Sequence, residues 1–167
     1  MVQMKVLVYI GPSGSGKTTH ILNNYFNDEF VDTKFNNIDI SSDGKTLLFG
    51  KYKQDKRCLG CDTLSMSIID DLLKTLEMLI IENKYETIIL DGDRITNDKM
   101  FQFLIKYKDI TEIIYMNTEE SILYDRLKEC NKQFVKTTIK KSYNMYLKLK
   151  HERFNIKEIA TKNNRWF

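Results

Sequence analysis

The sequence predicts an α/β fold: a mainly parallel central sheet flanked by helices. Three observations lead there. Short, β-branched apolar runs recur at residues 4–10, 87–90 and 112–116. Segments with apolar residues every three or four positions lie between them. The first run is joined to the first such segment by a glycine-rich turn, GPSGSGKTT. Buried parallel strands alternating with amphipathic helices give this pattern. The chain has 167 residues, length for a single domain, 1–167, with none left for a second. A chain of this length buries most of its unfolded surface, so neither metal nor disulfide is needed for folding.

The elements follow in order. MKVLVYI, residues 4–10, reads as a buried strand. HILNNYF has helical apolar spacing. Residues 37–50 read as a small β-hairpin insertion, with Asp43-Gly44 supplying the turn. KYKQDKRCLGC is a polar, basic loop. Residues 64–81 form an amphipathic helix, since Leu64, Ile68, Leu72, Leu76, Leu79 and their neighbours fall on one face. TIIL (87–90) is a second buried strand and EIIYM (112–116) a third. Helices are expected at 98–108, 119–130 and 137–154, with a weak strand pattern at 156–161.

Composition excludes several classes. Forty-two per cent hydrophobic and 29% charged residues with a single proline argue against disorder and collagen-like repeats. The longest uninterrupted apolar run is about five residues, far short of the roughly 20 a membrane-spanning helix needs. The N-terminus shows no secretory pattern, and three cysteines, an odd count, suit a reducing cytoplasm. Net charge is +3, unevenly spread. Residues 131–167 carry ten Lys or Arg against two Asp or Glu. That excess would suit a polyanion, though lysine-rich helices are also simply solvated.

Residues 11–18 match the phosphate-loop pattern G-x-x-x-x-G-K-[ST] in full, with a strand before and a helix after. The expected nucleotide-binding residues are Gly11, Pro12, Ser13, Gly14, Ser15, Gly16, Lys17, Thr18 and Thr19. Glycines let amide N–H groups face inward as an anion nest at a helix N-terminus. Lys17 is expected to put its charge on the β- and γ-phosphates, and Thr18 its hydroxyl on Mg²⁺. ATP and Mg²⁺ are therefore the expected cofactors. ETIILDGDR, residues 86–94, ends a strand in Asp91. At the carboxyl edge of the sheet Asp91 could hold the metal with Thr18, the alternative being an ordinary Asp-Gly turn. Asp93 is a weaker candidate.

D-G-x-x-R after a strand resembles the adenylate-kinase branch of the nucleotide kinases, P-loop kinases in which the aspartate serves the metal and the arginine contacts phosphates. The resemblance implies those roles for Asp91 and Arg94. NTEESILYDRLKECNK, residues 117–132, resembles the helix leading into that family's mobile lid. It implies that Arg126 reaches the phosphates on closure; alternatively Arg126 pairs with Asp125 or Glu129 on the surface. The chain has only five arginines, Arg57, Arg94, Arg126, Arg153 and Arg165. That is thin for a second phosphate pocket, because bidentate arginine is the usual partner of phosphate. A hydroxyl acceptor needs fewer cations but does need a carboxylate to take its proton. Asp62 is the candidate base, unless it caps the helix that follows; Asp39 is the reserve.

The string GKYKQDKRCLGCDTLSM is similar to phage-encoded P-loop kinases that act on 5-hydroxymethyluracil within DNA. The resemblance implies phosphorylation of the base's hydroxymethyl oxygen, with double-stranded DNA as partner. Lys51, Lys53, Lys56 and Arg57 would then hold DNA phosphates, and Tyr52 would stack on an extruded base. A solvated surface loop is the plain alternative. Two further readings stay open: a small-molecule nucleoside or nucleoside monophosphate kinase, and a P-loop ATPase or switch that is not a kinase. Cys58 and Cys61 lack two further ligands at zinc spacing and read as packing thiols. His20 is expected on the phosphate-loop helix without catalytic work.

Overall fold

In the computed structural model, residues 3–25, 30–31, 38–41, 43–50, 69–129 and 136–161 are described. The strands are β1 (Lys5–Ile10), β2 (Phe30–Val31), β3 (Ile38–Ser41), β4 (Thr46–Phe49), β5 (Thr87–Asp91), β6 (Thr111–Thr118) and β7 (Asn155–Thr161). The helices are α1 (Lys17–Tyr25), α2 (Ile69–Glu82), α3 (Asp98–Lys106), α4 (Glu120–Glu129) and α5 (Lys136–His151). One seven-stranded sheet runs in the order β2-β3-β4-β5-β1-β6-β7. From β4 to β7 every pairing is parallel; β2–β3 and β3–β4 are antiparallel. The expected α/β class and mainly parallel sheet are what the structure shows.

Strand composition explains the layering. The inner residues of β1 and β5, 6–10 and 88–90, are apolar and buried, as a parallel strand covered on both faces requires. Alternate residues feed two cores. Val6, Val8, Leu90 and Ile113 join Leu72, Leu76 and Leu79 of α2, Met100 and Leu104 of α3, and Met145 and Leu149 of α5. Leu7, Tyr9, Ile89 and Ile114 face the other way and meet Ile21 of α1. The larger cluster lies on the α2–α3–α5 face, and the phosphate-loop helix covers the smaller one.

The hairpin strands and the last expected strand, at 156–161, are both present, and all of them join the one sheet. The hairpin at residues 38–49 turns at Asp43-Gly44 as read, with Gly44 at φ 71° and Gly44 N donating to the Ser41 carbonyl at 2.9 Å. It does not stand apart as an insertion, because β4 lies parallel beside β5, with Thr46 opposite Thr87 and Phe49 opposite Leu90. Seven residues of β7 pair with β6 from Glu112–Asn155 to Thr118–Thr161. This edge strand is half exposed along its length, which dilutes its apolar signal. Among the described residues α2 begins at Ile69. No helix of the described residues is long and apolar enough to cross a membrane.

Candidate active site at the phosphate loop

Strand β1 delivers the chain to the carboxyl edge of the sheet between β5 and β6, where the chain turns through residues 11–16 into α1. This is where the sheet order reverses direction, and the edges of the neighbouring strands part to leave a crevice. Gly14 and Gly16 take φ of 82° and 93°, a region that side chains with a Cβ rarely enter. Gly11 is needed for a different reason: a Cβ there would lie 2.8 Å from Ser15 Oγ and 3.1 Å from the Met116 carbonyl. Ser15 N donates to the Pro12 carbonyl at 3.1 Å, closing the turn. The Ser15 hydroxyl is buried and has no hydrogen-bond partner among the described residues.

Lys17 opens α1, and its side chain is 7% exposed. Its ammonium folds back over the loop and donates to the Gly11 carbonyl at 2.7 Å and the Pro12 carbonyl at 3.0 Å. A buried cation needs such partners. They are also neutral acceptors that a phosphate oxygen would outbid, because the anion adds ion–ion attraction to the hydrogen bond.

The carboxylate expected beside the loop is there. Parallel pairing sets Asp91 of β5 opposite Tyr9 of β1, one residue short of the loop. Asp91 is 1% exposed. The Thr18 hydroxyl donates to Asp91 Oδ2 at 3.1 Å. A hydroxyl and a carboxylate oxygen are the hard donors that Mg²⁺ takes, usually from one or two protein groups with waters and phosphates completing its octahedron. Among the described residues no group of three or more His, Cys, Asp or Glu is gathered to hold a metal by itself. The donor set therefore fits a magnesium ion that arrives with a nucleotide.

Arg126 comes to the same place. It lies on α4, which follows β6, and its Nη1 donates to the Gly14 carbonyl at 3.1 Å. Burial lowers its pKa from the usual guanidinium value, with Glu129 acting in the opposite sense. The cation thus sits partly dry against the loop, where an anion would relieve it. Leu127, the next residue, lies 3.2 Å from where a Gly14 Cβ would be, so α4 braces the loop by packing as well. Arg94 lies in the short 3-10 turn Asp93–Ile95 that begins two residues after Asp91, and it is half-buried.

Asp39 is buried on β3, 7% exposed, and opposite Leu48. It faces the same side of the sheet as Asp91, with β4 between their strands. Asp62, Lys51, Tyr52, Lys53, Lys56, Arg57, Cys58 and Cys61 lie outside the described residues.

Two interactions were not expected from the sequence. Lys141 of α5 donates from Nζ to the Asp93 carbonyl at 3.0 Å, which adds a lysine to the Asp91–Arg94 segment. Its only sequence signal was the basic character of the C-terminal quarter. The Tyr9 hydroxyl pairs with His20 Nδ1 at 3.0 Å beneath the loop helix. Burial pushes the Tyr9 hydroxyl pKa strongly up and the His20 pKa down, Lys157 adding to the latter. Both shifts favour the neutral forms, and the pair joins β1 to α1.

Fold and site together define a P-loop α/β protein. No protein-family model and no curated protein matches the chain. Among solved structures it is similar to deoxyadenosine kinase from M. mycoides, in a structure with the products dCMP and a flexible dCDP bound. The TM-score is 0.44 at 12% identity, over 94% of this chain and 90% of that one. A second structure of that enzyme, with dATP bound, gives a TM-score of 0.39 at 12% identity, over 94% and 91% of the two chains.

Proposed function

We propose that this chain is an ATP- and Mg²⁺-dependent phosphotransferase that moves the γ-phosphoryl group to a hydroxyl of a nucleoside-type acceptor. One observation carries the reading: Thr18 and Asp91 meet at 3.1 Å beside a complete phosphate loop. That meeting requires two segments 73 residues apart to place a hydroxyl and a carboxylate together. In this reading the loop amides and Lys17 hold the β- and γ-phosphates, and Thr18 and Asp91 hold Mg²⁺, which neutralises charge on the phosphates. Arg126 and Arg94 contribute cations to the transferring group. The acceptor oxygen forms a bond to the γ-phosphorus, the bond from that phosphorus to the β-bridging oxygen breaks, and ADP leaves. The acceptor's proton passes to a carboxylate, assigned to Asp62 with Asp39 in reserve. Positioning and fixed charge supply most of the acceleration in this reaction class.

For the acceptor, the residue string at 50–66 favours 5-hydroxymethyluracil in phage DNA, with Lys51, Tyr52, Lys53, Lys56 and Arg57 as the DNA contacts and the host cytoplasm as the location. The test is transfer from γ-labelled ATP to hydroxymethyluracil-containing duplex DNA, unmodified duplex, free nucleosides and nucleoside monophosphates. Label in the modified duplex alone is expected. Label in free nucleosides alone assigns a small-molecule nucleoside kinase. Label in monophosphates alone rejects the hydroxyl acceptor, and release of phosphate with no acceptor labelled rejects the kinase.

A further inference from the structure

Beside the loop, on the face opposite α1, lies a hollow of about 380 Å³ between α5 and the carboxyl half of β6. Its volume falls in the range of small-molecule sites, roughly 300–1,000 Å³. Three tyrosines dominate it. Tyr115 and Tyr146 are buried and stacked, ring centroids 4.3 Å apart at 21°. Tyr143 stands at the rim, 49% exposed, and is stacked toward Tyr146 at 6.0 Å and 28°. Polar groups sit among the rings. The Tyr146 hydroxyl donates to Glu158, and Lys150 donates to the Tyr146 hydroxyl at 3.0 Å. Asn117 adds an amide at the mouth. Flat apolar walls with a few fixed acceptors and donors are what a heteroaromatic ring bearing N–H groups requires.

The position of the hollow indicates which ring. Its wall includes Pro12, and the Pro12 carbonyl is one of the two that hold the Lys17 ammonium, at 3.0 Å. The lysine of this motif marks the β- and γ-phosphates. The hollow therefore adjoins the terminal phosphoryl end of the loop. The donor's own base belongs beyond the α-phosphate, at the other end.

We propose that the tyrosine-lined hollow between α5 and β6 is the acceptor subsite, stacking the nucleobase of the nucleoside that receives the phosphoryl group. The assignment rests on the phosphotransferase reading above and deepens it. Tyr143 supplies the exposed stacking face, and the Glu158 carboxylate and Asn117 amide read the ring's N–H and carbonyl edge. A base extruded from a duplex and the base of a free nucleoside present the same ring, so a free nucleoside serves as a binding probe for this hollow whichever of the two is phosphorylated.

The test uses the full chain and four probes: thymidine, 5-hydroxymethyl-2′-deoxyuridine, deoxycytidine and deoxyadenosine, with 2-deoxyribose as the ringless control. Each is titrated with and without a saturating non-hydrolysable ATP analogue, by calorimetry and by saturation transfer to the base protons. At least one nucleoside is expected to bind and 2-deoxyribose is not. Tyr143→Ala is expected to weaken that nucleoside by at least about fivefold, as loss of one aromatic–base stack does, and Tyr143→Phe to keep it within about twofold. Both variants should bind the ATP analogue as the native chain does. The subsite is overturned if no nucleoside binds, if Tyr143→Ala leaves its affinity unchanged, or if that variant weakens the analogue instead, which would make the hollow the donor's base site. Failure of the analogue to bind the native chain would sink the phosphate-loop reading. The nucleoside titration without analogue still decides the hollow in that case.

Discussion

Lys17 holds its charge at the mouth of the loop by borrowing two backbone carbonyls, and Thr18 borrows Asp91. Both arrangements leave groups that a metal–polyphosphate complex would take over. Lys17→Met is expected to lower kcat/KM by at least about 10²–10³, the usual cost of removing one preorganised electrostatic group. The protein should stay folded, since methionine keeps most of the stem. Initial-rate kinetics with the labelled acceptor would show this. Lys17, Thr18 and Asp91 were legible because sequence spacing fixes the first two and a strand end fixes the third. Lys141 and the tyrosines of α5 were not, because their places depend on how a helix packs across the sheet. His20 gives a separate prediction. Its folded pKa lies below the unfolded value near 6.5 because burial disfavours the imidazolium. The unfolded chain therefore binds the proton first as pH falls. Stability is full above about 6.5 and declines below it, by up to about 1.4 kcal/mol per pH unit until the folded pKa is reached. Urea denaturation at pH 7.5 and 5.5 should show a loss that His20→Gln reduces; an equal loss in both proteins would contradict the assignment.

At the scale of elements, helix ends and packed faces make their own predictions. Helix α3 begins at Asn97, whose side-chain oxygen accepts from Met100 N at 3.0 Å, while its amide donates to the Arg94 carbonyl at 2.7 Å. That residue ties the helix to the segment carrying Asp91 and Arg94. Asn97→Ala is expected to cost about 1 kcal/mol of stability and to raise KM more than that loss alone would, since the Arg94 turn loses its anchor. Leu76 of α2 is fully buried beneath the sheet. Leu76→Ala is expected to cost about 2–5 kcal/mol by thermal or chemical denaturation. The sequence showed α2 and α3 clearly because one strong apolar face sets the helical period. It showed the β3–β4 turn through Asp43-Gly44, but not the parallel docking of β4 on β5. A hairpin's pattern specifies its own pairing and says little about which outside edge it joins. The alternation in β7 was faint because an edge strand buries so little.

At the scale of the molecule, one sheet carries two unequal cores, and the site sits at its carboxyl edge between the strands that diverge there. Charge is distributed with similar asymmetry: α5 carries Lys136, Lys140, Lys141, Lys148 and Lys150 and no acidic residue. If the acceptor base lies in DNA, these lysines and the basic loop should make binding steeply salt-dependent, each neutralised phosphate adding about 0.9 to the steepness of the logarithmic slope. The slope should flatten for Lys140→Gln combined with Lys136→Gln, and a salt-independent affinity would rule out binding to the DNA backbone.

The central claim is that the N-terminal loop wraps a polyphosphate while Thr18 and Asp91 hold its metal ion. Calorimetric titration of ATP with and without Mg²⁺, into the native chain, Lys17→Met and Asp91→Asn, tests it most directly. The account predicts Mg²⁺-enhanced binding by the native chain, weakened binding in Lys17→Met, and binding without the magnesium enhancement in Asp91→Asn. Native-like titrations in both variants, or no ATP binding by the native chain, would contradict it.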